Sequence, residues 1–203
     1  MEIRHHAVLY ALLCKHILAG TDMEEGEKLI EEITTAYGLK RGRRMAANSS
    51  VRDMNAFFIN GEWKGKEGEN LSKLYYGEND TTSIVSKCAW YDSWVRYDLL
   101  DYGPYYCRYI DKAICEGFAG NFDLDVRQTI GQGEANCIFV WSAKADEEKV
   151  ANTEKQHILS FDFHCKELYE TAYEILPEKI RDEVLKAVDE EFVSTFTDLD
   201  ASE

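Results

Sequence analysis

Cys107 and Asp111 stand four residues apart, so in a helix they share one face, a turn from each other, and can reach the same bound molecule. Cys115 continues the series, and Ile110, Ile114 and Phe118 flank it, which turns the stripe toward a core or a pocket. Buried cysteine commonly serves as a small hydrophobe, and that reading suffices for Cys115. An unpaired carboxylate is different, because burying its charge costs several kcal/mol. Asp111 therefore needs either an ion-pair partner, such as Arg108, Arg127 or an upstream arginine, or a task in catalysis or ligand binding.

The chemistry open to this pair is attack on carbon by the Cys107 thiol, with Asp111 as general acid and base. A carboxylate beside a thiol raises the thiol's pKa, and the helix start at Pro104 opposes this only weakly by the third residue. All five histidines (5, 6, 16, 157 and 164) lie outside the central region, so a Cys–His pair requires a long-range contact. Cys88, Trp90, Glu134 and Cys137 are second-rank site residues, at hairpin ends that converge with the helix stripe. Arg41, Arg43 and Arg44 form the dense basic cluster of the chain. They make either a solvated face or, through Arg41 and Arg44, a fork for a substrate carboxylate. Zinc is the alternative use of Cys88, Cys107, Cys115 and Cys137, although their separations of 19, 8 and 22 match no compact CxxC knuckle. The enzyme reading needs no metal and no cofactor.

These residues must be positioned by helices and a sheet. Val8, Leu9, Leu12, Leu13 and Ile17 recur at helical spacing, and Thr21 with Glu24 has the form of a capping box before a second helix that reaches Gly38 or continues to Ala47. Ser50 with Asp53 caps a third, short helix whose buried face is Met54, Phe57 and Phe58. Leu71 to Tyr76 and Thr81 to Cys88 read as a hairpin around Gly77–Asp80. A helix carries Trp90 and Trp94, and a second begins at Pro104 and carries Cys107 and Asp111. Phe122 to Ile130 alternates cleanly. Its partner, Ala135 to Ala143, places Cys137, Phe139 and Trp141 on one face. Helices follow over 158–175 and from Pro177, with a frayed tail beyond Thr197.

The fold class predicted is α+β, with helices packed on a roughly four-stranded antiparallel sheet in a single domain, 1–203. Residues 1–60 supply N-terminal helices, 70–143 the hairpins and central helices with the site, and 146–197 the C-terminal helices. With 23 basic and 38 acidic residues the net charge is −15, which repels phosphate backbones and anionic lipid. Nucleic acid and membrane are excluded as partners, and a small molecule is the partner expected. The early apolar stretch carries Lys15 and His16 and falls short of the roughly 20 residues that span a bilayer, so the chain reads as cytoplasmic with reduced thiols.

An ordered set of short pieces carries a resemblance. Tyr37-Gly38-Leu-Lys-Arg41-Gly42-Arg43-Arg44-Met45-Ala46, Cys88-Ala-Trp90 with Trp94, Tyr102-Gly103, Tyr106-Cys107-Arg108-Tyr-Ile-Asp111, Glu116-Gly117-Phe118 and Gly133-Glu134-Ala-Asn-Cys137-Ile-Phe139 together resemble the L-2-amino-thiazoline-4-carboxylic acid hydrolase family over roughly residues 30 to 141. Glu134 departs from the pattern, where aspartate is usual. The resemblance implies a hydrolase that opens a thiazoline ring by attack at its amidine-like carbon, acting on a non-peptide C–N bond and leading to a carbamoyl-cysteine type product. At the level of fold the chain is also similar to 4-vinyl reductase-like ligand-binding domains. Two other readings stay open: a sensor or binding module whose cysteines hold zinc or pack, and a structural protein that forms a homodimer through an apolar helix face.

Overall fold

The computed structural model describes residues 1–200. Helix α1, Ile3–Gly20, turns Leu12, Leu13, Ile17 and Tyr10 into the main core. The chain then reverses into α2, Met23–Ala47, whose cap is Asp22: its carboxylate accepts the Glu25 N–H at 2.9 Å. Thr21, the predicted cap, instead donates back to the Ile17 carbonyl at 2.7 Å. Gly38 does not end α2. Neither Gly38 nor Gly42 interrupts the helix, because both stand where another helix crosses it.

Of the pair read as its cap, Asp53 alone caps the short α3, Met54–Ile59, its carboxylate accepting the Ala56 N–H at 2.8 Å. Strands β1, Leu71–Tyr76, and β2, Thr81–Lys87, form the expected hairpin, closed at the Tyr76↔Thr81 pair. Strands β3, Leu124–Gln128, and β4, Cys137–Trp141, complete a four-stranded antiparallel sheet in the order β1-β2-β4-β3. A single turn of 3-10 helix, Ile130–Gln132, lies between β3 and β4 with Gly131 inside it, and Gly133, which follows it, takes φ +91°, a left-handed conformation cheap only for glycine.

Between the hairpins lie α4, Ala89–Arg96, and α5, Tyr105–Phe118, with Pro104 as the residue preceding the first turn of α5. The short α6, Glu147–Asn152, leads to α7, Phe161–Ile175, and α8, Glu178–Asp200. The frayed tail expected beyond Thr197 meets helix as far as Asp200, and its remainder lies outside the described residues. The structure is thus α+β, helices on a four-stranded antiparallel sheet. Among the described residues no helix is long and apolar enough to cross a membrane.

Two features of this scaffold place the site. Helices α2 and α5 cross at glycine: a Cβ at Gly42 would lie 2.6 Å from the Phe118 nitrogen and 2.7 Å from the Gly117 carbonyl carbon, and one at Gly38 would meet the Ala113 Cβ at 2.5 Å. The backbones therefore approach more closely than side chains would allow. The sheet then lays one face toward these helices. Its register, Val85↔Cys137 and Ser83↔Phe139 between β2 and β4, puts alternate residues of both strands on that face.

Candidate active site

A cavity of about 270 Å³ lies between the sheet and the helices. Its floor is the inner face of the sheet, with Ser83, Val85, Cys137, Phe139 and Trp141. Helix α5 supplies Tyr106, Cys107, Ile110, Asp111 and Ile114, the stripe anticipated from the i, i+4 spacing. Cys88 enters from the β2–α4 junction, Trp90 and Trp94 from α4, and Arg41 from α2. Cys107 and Asp111 share one hollow, and Cys88, Trp90, Cys137 and Arg41 join them there. Another hollow, of about 300 Å³ beside α3 and α6, is walled by Asn48, Asp53, Lys149 and His157 and contains no thiol.

Glu134 and Arg44 do not reach the cavity. Glu134 belongs to the exposed turn before β4 begins, so the alternation that turns Cys137 inward does not extend to it. Arg44 is engaged elsewhere: its Nη2 donates to Glu62 Oε2 at 3.0 Å and to Glu167 Oε2 at 2.9 Å. Cys115 is buried in a separate apolar cluster with Phe118, Phe122 and Trp141, the packing role read for it. Among the described residues no three His, Cys, Asp or Glu side chains are grouped to hold a metal ion, so the zinc alternative finds no support.

The electrostatics divide the site between one acid and three neutral thiols. Burial pushes the Cys107 thiol well above its usual range, and Cys88, Asp111 and Cys137 add to this in that order. Burial likewise raises Cys88, and it raises Cys137 to about 11, where the Ile130 N–H donates to its sulfur at 3.3 Å and partly offsets the shift. Gly131 adjoins that contact, and a Cβ there would lie 3.0 Å from Cys107 Sγ. The Ile130–Gly131 backbone thus abuts both thiols. Asp111 is pushed up to about 6 by burial, opposed by the Arg41 charge. It receives no hydrogen bond from any described residue and is half-buried on the wall of the hollow, so its oxygens are open to a donor from a guest or from solvent. The ion-pair partners the sequence offered lie elsewhere: Arg108 approaches Glu27 at 3.8 Å and Arg127 pairs with Asp125 at 3.1 Å.

Arg41 is 4% exposed and held from two sides. Its Nε donates to Glu62 Oε2 at 3.4 Å and its Nη1 to the Tyr106 hydroxyl at 3.2 Å, while among the described residues Nη2 makes no hydrogen bond. Glu62, 1% exposed, therefore balances two guanidinium groups, Arg41 and Arg44. It sits in a segment without periodicity, and no sequence signal marks it.

Behind Trp90 runs a buried chain of hydrogen bonds whose direction can be assigned. The indole Nε1–H donates to His6 Nδ1 at 3.1 Å, and indole can only donate, so that nitrogen carries no proton. Burial, then Arg41 and then His164, hold His6 neutral, so its Nε2–H donates to the Tyr37 hydroxyl at 3.1 Å. Tyr37 in turn donates to His164 Nδ1 at 3.4 Å, and His164 Nε2–H to the Glu62 carbonyl at 3.5 Å. Burial lowers His164 to about 3. The one signal that could have revealed His6 is its place on the apolar stripe Ile3, Tyr10, Leu13 and Ile17 of α1, where a polar residue needs a partner.

No curated protein and no solved structure matches this chain. A family model described as L-2-amino-thiazoline-4-carboxylic acid hydrolase matches residues 1–141 of the 203. The matched stretch contains every wall residue of the cavity, from Arg41 to Trp141. The chain belongs to the L-2-amino-thiazoline-4-carboxylic acid hydrolase family.

Proposed function

We propose that this protein hydrolyses a small cyclic amidine that bears a carboxylate, of the thiazoline type its family is named for, and that Asp111 is the base of the reaction. The observation that carries the reading is the sharing of one small cavity by an acid that has no hydrogen-bond donor among the described residues and an arginine with a free edge. Arg41 Nη2 takes the substrate carboxylate. The hollow of about 270 Å³ lies just below the ~300–1,000 Å³ of sites for drug-sized ligands, which suits a single small ring. Trp90 and Phe139 supply flat apolar walls for that ring.

In this reading the roles of Asp111 and Cys107 are divided by their protonation. Asp111, ionised at neutral pH, takes a proton from water as the oxygen bonds to the amidine carbon, the C=N pair moves onto the amidine nitrogen, and a tetrahedral adduct bearing a hydroxyl forms. Asp111 gives that proton to the amidine nitrogen, takes the hydroxyl proton as the C=O forms, and passes it to the departing ring atom, so the carboxylate is regenerated. Departure of the ring nitrogen opens the C–N bond, whereas departure of the ring sulfur would expose a free thiol. Cys107, held neutral and with no histidine beside it, contacts the guest as a thiol.

The test is ring opening of L-2-amino-thiazoline-4-carboxylate by purified protein, followed by loss of substrate and by a thiol-reactive dye. Asp111→Asn is expected to lose at least ~100-fold in kcat, and Arg41→Lys to raise KM. Cys107→Ser retains a measurable fraction of turnover. A covalent adduct on Cys107 in the intact mass, with all turnover lost in the serine variant, would move the attack from water to sulfur. No ring opening of this or related cyclic amidines would end the reading.

A further inference from the structure

Arg41 does more than present a free edge to the cavity, because it also fixes the direction of a second hydroxyl. Tyr106 is the second residue of α5, 7% exposed, and lines the cavity between Arg41 and Cys107. Its ring is held from several sides, edge-on to Tyr10 at 4.8 Å and to His6 at 5.6 Å, and stacked with Trp90 at 6.2 Å and 12°. The phenol oxygen therefore has a fixed position. Its one hydrogen bond among the described residues comes from Arg41 Nη1, at 3.2 Å, and guanidinium can only donate. The Tyr106 oxygen is thus the acceptor in that contact, and its own proton is left without an acceptor.

A buried hydroxyl with an unused proton, on the wall of a cavity, calls for an acceptor on whatever enters. We infer that Tyr106 is a catalytic residue, whose O–H donates a hydrogen bond to the amidine nitrogen that takes up the C=N electron pair as water adds. The inference rests on the hydrolase reading and adds to it a group that neither the family resemblance nor the i, i+4 spacing assigned a task. Three features favour donation over any other role. Burial raises the phenol far above its usual range, so it stays protonated at every working pH. The bond from Arg41 polarises the hydroxyl toward giving its proton, since linked hydrogen bonds strengthen one another. Asp111 and Tyr106 line the same hollow, and Asp111 is among the charges that act on the phenol, so the base for water and the donor for the amidine nitrogen are neighbours. The Tyr106 proton is not transferred. It is shared with that nitrogen while the electron pair collects there, until Asp111 delivers the water proton to it, and it remains on the phenol when the adduct collapses.

The test is Tyr106→Phe, which keeps the ring and removes one oxygen. Loss of a donor to the negative charge that develops in the transition state lowers kcat by about 10²–10³-fold. KM should change by less than about threefold, because an interaction made only in the transition state leaves substrate binding almost untouched. A melting curve and calorimetric binding of the substrate carboxylate to the variant report whether the fold and the Arg41 contact survive. Should Tyr106→Phe fail to fold, site-specific replacement by 3-fluorotyrosine provides the second arm: it keeps the hydroxyl, makes it more acidic, and is expected to hold or raise kcat. A folded phenylalanine variant with wild-type kcat overturns the proposal, as does a kcat for the fluorinated variant that falls ~100-fold. In either case an active wild type that is lost in Asp111→Asn leaves the hydrolase reading standing. An inactive wild type sinks that reading first.

Discussion

Replacing Gly42 by alanine should damage both stability and turnover, although alanine is the better helix former. Gly42 lies within α2, where alanine alone would stabilise the helix by about 1 kcal/mol relative to glycine. The added methyl would meet backbone on α5, 2.6 Å from the Phe118 nitrogen and 2.7 Å from the Gly117 carbonyl carbon, and ordinary contact begins at 3.4 Å. No flexible side chain is there to swing aside, so the helices themselves must separate. Overpacking of this kind costs about 1–3 kcal/mol and more where nothing can relax. With the propensity gain subtracted, the net loss is about 2 kcal/mol, or roughly 4–8 °C in Tm for a chain of this size. The same separation moves Arg41 on α2 away from Asp111 on α5, and a misplacement approaching 1 Å lowers kcat by on the order of 10²-fold. Thermal melts and initial rates measured together read both effects. Gly20→Ala is the control, since a Cβ there meets only Val184 Cγ2 at 3.6 Å. An unchanged or raised Tm for Gly42→Ala, with wild-type kcat, would refute the account of the crossing.

Asp111 gives two further expectations. Its folded pKa of about 6 lies above the ordinary 3.8, so the folded chain holds that proton more tightly, and stability falls as pH rises from about 4 to about 6. Asp111→Asn should then be more stable than the wild type at pH 7, by up to ~3 kcal/mol, with the advantage gone below about pH 4; urea melts at both pH values check this, and an asparagine variant less stable at pH 7 contradicts it. Because the ionised form is the base, kcat/KM should rise tenfold per pH unit below about 6 and level off above it, and a flat profile from pH 5 to 8 would remove Asp111 from that role. Glu62→Gln leaves Arg41 and Arg44 without their shared buried carboxylate and should cost about 3–5 kcal/mol, read as a large fall in Tm; a shift of only a degree or two would mean that Glu167 balances Arg44 unaided and Arg41 needs no anion.

The helix stripe and the strand face were legible because each follows a local period. Cys107 and Asp111 project together at i, i+4, while Cys137, Phe139 and Trp141 alternate onto one side of β4, and both patterns survive folding unchanged. The supports of the site were not legible, because they are contacts between distant segments. Glu62 meets Arg41 and Arg44 across about twenty residues of chain, and His164 meets Tyr37 from the far side of the sequence. Arg44 and Glu134 misled for the complementary reason: each has the right chemistry for a site, but Arg44 is taken up by two carboxylates and Glu134 stands before its strand begins. The quoted glycines 38, 42 and 117 acquire a physical meaning only once α2 and α5 are seen to cross there.

The ordered relay behind Trp90 has a consequence for how protons leave the reaction. It starts at an indole, which has no lone pair to accept with, and ends at a peptide carbonyl, which has no proton to pass on. Such a line is sealed at both ends. It can brace the wall of the cavity but cannot conduct, so in the proposed cycle the proton that Asp111 gains leaves on the product and not along this line.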